Sequence, residues 1–360
     1  MKKKLGKFID KQRGAMKKRE AEAPTSELIN SEAASDRITN ETIAEHREEI
    51  LKGARKYIYP LQHSKYRVVL VSGALFILSV VVFFSYCLLG LYKFKQDSGF
   101  LYRVTQVLPF PVARTGSTLV SYENYLFEVR HYRHYFEVQR KIDFKSESGK
   151  QQLDEYKKEA LKKVINDAYI KRLANDSGVS VSDKEVTDRI DMLRAQNRLG
   201  SSDKVLEDVL QDNWGWTLSD YKRTLKQQIL SEKLLQKLDV EANKKAREAL
   251  FSIKTGKDFS ETAKAFTDDL STKESGGVIS TLIDQNSLDF SAQTTDILKK
   301  LQVGQSSEII NYGEGLEIVK KLEEKDGKIK VAHIIFNFKD INSYINDAKD
   351  KQKTRQYITL

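Results

Sequence analysis

Few residues in this chain of 360 have the type and spacing that metal or thiol chemistry requires. Cys87 is the only cysteine and lies in an apolar stretch, so neither an intramolecular disulfide nor a cysteine-based zinc site can form. His131 and His134 stand three residues apart, a spacing that puts two rings on one face of a helix. No neighbouring carboxylate or third histidine supports chelation there. We therefore predict no metal and no other cofactor.

Basic residues are concentrated at the N-terminus. Residues 1–67 hold 16 basic and 10 acidic side chains, a net charge of +6, and nine of the basic ones lie in Lys2–Arg19. A basic tail can bind anionic lipid or nucleic acid. Because no aromatic interleaving or nucleic-acid motif accompanies it, we expect no nucleic-acid partner. We interpret residues 1–66 as a cytoplasmic basic and polar tail, in which Asn40–Ile58 could form a short amphipathic helix.

An uncharged stretch from Val68 to Tyr92 separates this tail from the rest of the chain. Twenty apolar residues suffice to span a bilayer as a helix, so we predict a single transmembrane helix at 67–92. A cleavable signal peptide would be shorter and lie at the extreme N-terminus. Since positive charge is retained on the cytoplasmic side, the N-terminus should lie inside and the C-terminal domains outside the cytoplasm, in a single-pass cell-membrane protein.

Amphipathic helical patterns fill residues 110–240. Ser121 is a predicted N-cap, a capping box begins at Ser182, and Thr217–Asp220 is predicted to cap a further helix. An aromatic stripe after Ser121 is interpreted as core rather than as a surface for stacking ligands. No residue in this region has a catalytic pattern. We predict an all-α domain whose grooves could hold apolar peptide.

This region is similar to the N-terminal chaperone domain of SurA-like foldases, in the motifs GVSVSDKEV and NWGWTLSDYKRTLKQQILSEKL. The next segments, ANKKAREALFSIKTGKDFSETAKAFTDDLSTKESGG and LQVGQSSEIINYGEGLEIVKKLE, resemble a parvulin-type peptidyl-prolyl isomerase domain. The residues that match the family pattern are Gly256, Asp258, Phe259, Ala263, Phe266, Asp268, Ser271, Gly276, Gly277, Gly304, Ser307 and Gly315. The resemblance implies an α+β protein with a four-stranded antiparallel sheet flanked by helices.

One strand of the family pattern is displaced. Parvulins open with a strand that carries a His, but here the matching sequence, KIKVAHIIF, comes after the family's last strand. Either a truncated second repeat begins there, or the domain at 241–338 is circularly permuted and takes its first strand from 328–337. The link at 325–327 suits a hairpin, which favours permutation. We predict that Asp340–Tyr357 forms a helix and that this C-terminal segment, 339–360, packs on the helical domain.

The resemblance also implies the site residues. His333 matches the family's first His, and Asp269 the position held by Cys or Asp, so the two would form a hydrogen-bonded pair below the twisting peptide bond. Phe290 and Leu288 are the candidates for the apolar cup that binds the proline ring. Without the resemblance, a lone His on a strand would be interpreted as a hydrogen-bonded core residue.

The family's second His is Glu317 in this chain. A three-residue hairpin loop would put Val319 opposite His333 and Glu317 on the same face. A second carboxylate near Asp269 would favour a protonated His333. We therefore expect weak or absent isomerase activity.

The predicted function is that of a membrane-anchored extracytoplasmic folding factor that binds unfolded or newly exported polypeptides. Whether it is also an active peptidyl-prolyl isomerase stays open. The alternatives are a non-catalytic holdase or peptide-binding module and an envelope structural protein. The last would predict repeats or a long stalk, and neither is visible in the sequence.

Overall fold

The computed structural model describes residues 40–58, 61–284 and 288–360. Most of the predicted tail 1–66 therefore lies outside the described residues. The chain divides into two compact units, Met1–Val80 and Val81–Leu360.

Two helices form the N-terminal part of the described chain. The predicted amphipathic helix is confirmed as α1 (Asn40–Ile58). Helix α2 (Leu61–Leu88) continues into a π-helical turn at Leu89–Lys93. The stretch Tyr66–Lys93 is long and apolar enough to cross a membrane, and its most apolar 18 residues have a mean hydropathy of 2.7 and are not buried. Length and composition alone support this assignment.

The helical domain follows, and its helix starts agree with the local sequence. Its elements are α3 (Gly99–Val107), β1 (Pro111–Thr115), β2 (Thr118–Ser121), α4 (Tyr122–Val138), α5 (Glu147–Asp176), α6 (Asp183–Ala195), α7 (Asp203–Trp214) and α8 (Leu218–Leu238). The predicted cap at Ser121 is confirmed, since its side chain accepts a hydrogen bond from the Glu123 amide. The predicted capping box at Ser182 is present, and the predicted cap at Thr217 is also a capping box.

The aromatic stripe of α4 is buried over its first turns. Tyr122, Tyr125 and Val129 are almost fully buried and pack with Tyr169 of α5. The interpretation of this end of the stripe as core is therefore confirmed.

A three-stranded antiparallel sheet, in the order β2-β1-β7, corrects the prediction of a purely helical domain. Its third strand, β7 (Thr354–Gln356), comes from the C-terminal segment. The helix predicted there is α13 (Ile341–Lys351), which is shorter than expected. The chain leaves the helix because β1 offers an unpaired edge and the apolar core accepts Ile358, which is 3% exposed.

The parvulin-like domain consists of a four-stranded antiparallel sheet with helices on both faces. Its elements are α9 (Val240–Lys254), α10 (Phe259–Phe266), α11 (Leu270–Lys273), β3 (Ile283–Asp284), α12 (Ala292–Lys300), β4 (Ile310–Asn311), β5 (Gly315–Lys325) and β6 (Lys328–Asn337). The strand order is β3-β6-β5-β4; α9 and α10 cover one face of the sheet, and α12 covers the other. Strand β6 thus lies inside the sheet, between β3 and β5.

The β5–β6 hairpin has the predicted register at His333 but not the predicted turn. Asp326 and Gly327 have φ values of 52° and 74°, which define a two-residue turn and not a three-residue loop. A β-bulge between Lys321 and Glu323 then shifts the pairing by one residue. Val319 consequently pairs with His333, as predicted.

Candidate active site

His333 lies on the central strand β6, where a pair of glycines allows the neighbouring chain to approach. The His333 amide donates a hydrogen bond to the Gly277 carbonyl at 2.9 Å. Gly277 has a φ of 81°, and a Cβ atom there would lie 2.2 Å from the His333 carbonyl oxygen. Only glycine fits this position, which explains the physical role of the Gly276–Gly277 pair.

Asp269 reaches His333 because the segment after α10 is bonded to the edge of β6. The Asp268 amide donates to the Ile335 carbonyl at 2.8 Å, and the Ile335 amide donates to Thr267 Oγ1 at 3.1 Å. Asp269 Oδ2 then lies 2.9 Å from His333 Nε2. The structure thus brings the predicted pair together.

Thr272 completes this hydrogen-bonded cluster, and the sequence motifs did not indicate it. Its Oγ1 lies 2.5 Å from Asp269 Oδ2 and 3.1 Å from His333 Nε2. Asp269 also caps α11, since its Oδ1 accepts from the Ser271 amide at 2.9 Å. Asp is a preferred N-cap residue, so a cap at Asp269 could have indicated that Thr272, three residues later, lies near its carboxylate.

The electrostatics of the pair favour a neutral imidazole beside a carboxylate. Burial acts to raise the pKa of Asp269, but hydrogen bonds from Ser271, Thr272 and His333 outweigh it and hold the pKa well below its ordinary value. Burial lowers the pKa of His333, although its bond to Asp269 acts in the opposite direction. The expectation of a protonated His333 is therefore wrong. His333 Nδ1 is buried and has no hydrogen-bond partner among the described residues.

Glu317 shares the face of the sheet with His333 but is turned to a different partner. It is 3% exposed, and Thr294 Oγ1 donates a hydrogen bond to its Oε1. Burial raises the pKa of Glu317 to about 7, against the opposing effect of the Thr294 bond. Within the described ranges, no basic side chain pairs with Glu317. The expected pair of carboxylates around His333 is thus not formed.

An open groove of about 530 Å³ lies above these residues. The Phe290 ring forms one wall and meets the His333 ring edge-on, with centroids 6.5 Å apart and planes at 87°. Leu288 is 75% exposed and does not line the groove. Four of the five predicted site residues, Asp269, Phe290, Glu317 and His333, therefore line one groove. Among the lining residues that the sequence did not indicate are Tyr312 and Ile335.

A second groove, of about 700 Å³, lies in the helical domain between β2, α4, α5 and α8. Its buried lining residues include Phe127, Val164 and Ile170, and Leu119 at its edge is 57% exposed. Charged side chains on its walls are mostly paired, as in the Lys163–Glu128 contact at 2.8 Å. The groove can therefore offer apolar contact together with polar groups for a peptide backbone.

The two histidines considered for a metal site are engaged elsewhere. The His131 ring stacks on Trp214 and Trp216, with centroids 5.0 and 4.2 Å away. His134 Nε2 lies 3.2 Å from the Asp212 carbonyl oxygen. In the part of the chain that the structure describes, no group of three metal-ligating side chains occurs.

Two family models match the sequence in succession. A SurA-like N-terminal domain matches residues 62–235, and a PPIC-type PPIASE domain matches residues 229–323. The second match ends before β6, so the strand that carries His333 lies outside it. No curated protein gave a significant match.

Solved structures of foldases are similar to parts of the chain. Foldase protein PrsA from Streptococcus pneumoniae is 22% identical, over 54% of this chain and 73% of that chain, with a TM-score of 0.18. The peptidylprolyl isomerase PrsA from Bacillus cereus is 20% identical over 57% and 79%, with a TM-score of 0.20. PrsA from Bacillus subtilis is 18% identical over 56% and 80%, with a TM-score of 0.21.

The consecutive family matches agree with the two domains and with the motifs quoted from each of them. From its SurA-like N-terminal domain and its PPIC-type isomerase domain, the chain belongs to the SurA-like parvulin foldases.

Proposed function

We propose that the groove above Asp269 and His333 catalyses cis–trans isomerisation of X–Pro peptide bonds. The observation that supports this most directly is the hydrogen-bonded cluster of Asp269, Thr272 and His333 below the Phe290 ring. Rotation about the peptide bond faces a barrier of about 18–20 kcal/mol. No covalent bond changes, so the site needs only to favour the twisted amide over the planar one.

The chemistry of the groove suits that task. Phe290 and the neighbouring isoleucines, such as Ile335, offer an apolar surface for the proline ring and remove water from the amide. Asp269 holds the orientation of the neutral His333 ring, so the polar groups need no reorganisation during rotation.

We propose that isomerase activity is retained despite the Glu317 substitution. The expectation of weak activity depended on a protonated His333 between two carboxylates. Burial favours a neutral His333, and Glu317 bonds to Thr294 instead. These two observations remove the reason for expecting a protonated His333 between two carboxylates.

The test is the isomerisation rate of a short X–Pro peptide, measured by exchange NMR. His333→Ala and Asp269→Asn should each lower kcat/KM at least roughly tenfold, as loss of a positioned polar group in a dry site does. His134→Ala is the matched control and should leave the rate unchanged. A wild-type protein without activity, or one indifferent to both substitutions, would refute the proposal.

We also infer that the groove of about 700 Å³ in the helical domain binds unfolded client segments. Leu119→Asp should reduce suppression of client aggregation, because it places a charge at the apolar edge of that groove. Val209, which is 51% exposed on α7 and does not line the groove, gives the matched control Val209→Asp. Equal losses in both variants would contradict a role for this groove.

We infer, third, that the parvulin-like domain is circularly permuted. Its support is the position of β6 between β3 and β5, together with a family match that stops at residue 323. A truncated second repeat would leave the first sheet complete without β6.

We propose, finally, that Tyr66–Lys93 anchors the chain with the later domains outside the cytoplasm. The support is the length and hydropathy of this helix and the net charge of +6 before it. Protease added to intact spheroplasts should digest the chain beyond about residue 95. Full protection would refute this topology.

A further inference from the structure

One wall of the catalytic groove is held from outside the parvulin-like domain. Residues 288–291 carry the Phe290 ring and have no regular secondary structure. A loop with few backbone hydrogen bonds of its own opens at low free energy unless other parts of the protein hold it. The side chains that bond to this wall therefore decide the position of Phe290.

Two of those side chains come from the turn that follows α6 in the helical domain. Arg198 Nη2 donates to the Phe290 carbonyl at 2.8 Å and to Thr295 Oγ1 at 3.1 Å. Gln196 Nε2 donates to the Ala292 carbonyl at 2.7 Å, and the Gln196 residue is only 3% exposed. Hydrogen bonds from a cationic donor, or made where water is excluded, are the ones that hold geometry best.

A third contact ties the same segment to the body of the helical domain. With the Gln293 amide oriented to accept, Arg189 donates to its Oε1 at 2.7 and 3.1 Å. Arg189 also pairs with Glu232 of α8 at 3.0 Å, and both side chains are largely buried. Residues 290–295 are thus hydrogen-bonded to α6 and to the turn that follows it, and Arg189 of α6 connects them to α8.

The fastened segment carries two parts of the site. Phe290 faces the His333 ring, and Thr294 bonds to Glu317 in the floor. A displacement of this segment would move the wall and release Glu317 together. The parvulin-like domain alone supplies none of the Gln196, Arg198 or Arg189 donors.

We propose that Arg198 and Gln196 are positioning residues of the isomerase groove, so that the helical domain completes the substrate-binding wall. This inference rests on the proposed isomerase function. A client held by the helical domain would then meet a groove whose affinity for proline depends on that same domain.

The test compares Arg198→Ala, Arg198→Lys and the control Arg194→Ala in the full-length chain in detergent. Arg194 is four residues away, and its ion pair is with Asp203 of the helical domain. Arg198→Ala should raise KM for an X–Pro peptide roughly five- to tenfold. The value of kcat should stay within about twofold, because the substitution releases the Phe290 segment that binds proline and leaves Asp269 and His333 in place. Arg198→Lys keeps the charge but not the forked donor, and should restore only part of the affinity.

Amide hydrogen exchange over residues 290–296 gives the second measurement. Arg198→Ala should speed exchange there by roughly tenfold, without lowering the thermal midpoint more than Arg194→Ala does. Unchanged KM and unchanged exchange, or equal effects of Arg194→Ala, would overturn the proposal.

Two further outcomes keep the inference separate from the proposed function. If the wild-type protein shows no isomerisation, the proposed function fails, while the exchange measurement still decides whether Arg198 holds the wall. If Arg198→Ala does not fold, Thr295→Val removes one acceptor from the opposite side. Thr295→Val should raise KM and the amide exchange rate of residues 290–296 by smaller factors than those expected for Arg198→Ala. The absence of both effects would refute the proposal.

Discussion

Glu317 should make the stability of the parvulin-like domain depend on pH in a direction that is unusual for a carboxylate. Burial raises the pKa of this side chain from 4.5 to about 7 in the folded protein. Folding therefore favours the protonated form. The stabilisation is fully present below pH 4.5 and is lost as pH rises through about 7, because the folded protein must then bury a carboxylate.

The size of the effect follows from the difference between the two pKa values. At about 1.4 kcal/mol for each pH unit, the change from 4.5 to about 7 corresponds to a loss of about 3 kcal/mol. Glu317→Gln removes the titration and keeps an oxygen that can accept the Thr294 bond. We expect the variant to match the wild type near pH 4.5 and to exceed its stability by about 3 kcal/mol at pH 8.

Urea unfolding followed by circular dichroism from pH 4.5 to 8.5 measures this difference, and 13C NMR of the Glu317 carboxyl group measures its pKa directly. Glu314→Gln is the control for the loss of a carboxylate, because Glu314 is exposed and lies three residues before Glu317. A Glu317 pKa near 4.5, or a difference between wild type and Glu317→Gln that is flat with pH, would refute the reasoning.

Three further substitutions test the positions of single groups. Gly277→Ala should destabilise the protein by about 3 kcal/mol or more in urea unfolding, because its Cβ would lie 2.2 Å from the His333 carbonyl oxygen at a φ of 81°. Ser182→Ala should cost about 1 kcal/mol through loss of the α6 cap, measured the same way. Tyr169→Phe should cost about 1 kcal/mol and make the C-terminal strand more sensitive to limited proteolysis, because the Tyr169 hydroxyl bonds to the Thr354 hydroxyl at 3.0 Å.

Matched variants separate these causes from general damage. Gly304→Ala has a similar φ of 85°, but no atom of the described residues lies within 4 Å of its Cβ, so it should cost less than Gly277→Ala. Ser182→Gly should lose only a few tenths of a kcal/mol. Tyr125→Phe should be nearly neutral, because the buried Tyr125 hydroxyl has no partner among the described residues. The reverse order in any pair would contradict the contact assigned to it.

The chain's own sequence determined the features that depend on neighbouring residues. Ser182 and Thr217 begin helices where their capping boxes predict, since a cap needs only residues three positions apart. The link at 325–327 forms the predicted hairpin for a similarly local reason, although its turn has two residues and not the three that were predicted. The resemblance to parvulins also indicated that Asp269 and His333 would meet, 64 residues apart.

The tertiary structure alone decided the features that depend on which surfaces meet. The bulge between Lys321 and Glu323, and not the turn, sets the register at His333. The C-terminal segment became strand β7 because β1 had an unpaired edge, which no local pattern reveals. Strand alternation predicted the correct face for Glu317 on the assumption of a three-residue loop, whereas the bulge produces that pairing. The raised pKa of Glu317 comes from its burial in the folded protein. Burial and long-range hydrogen bonds depend on residues far apart in the chain, so no window of sequence contains them.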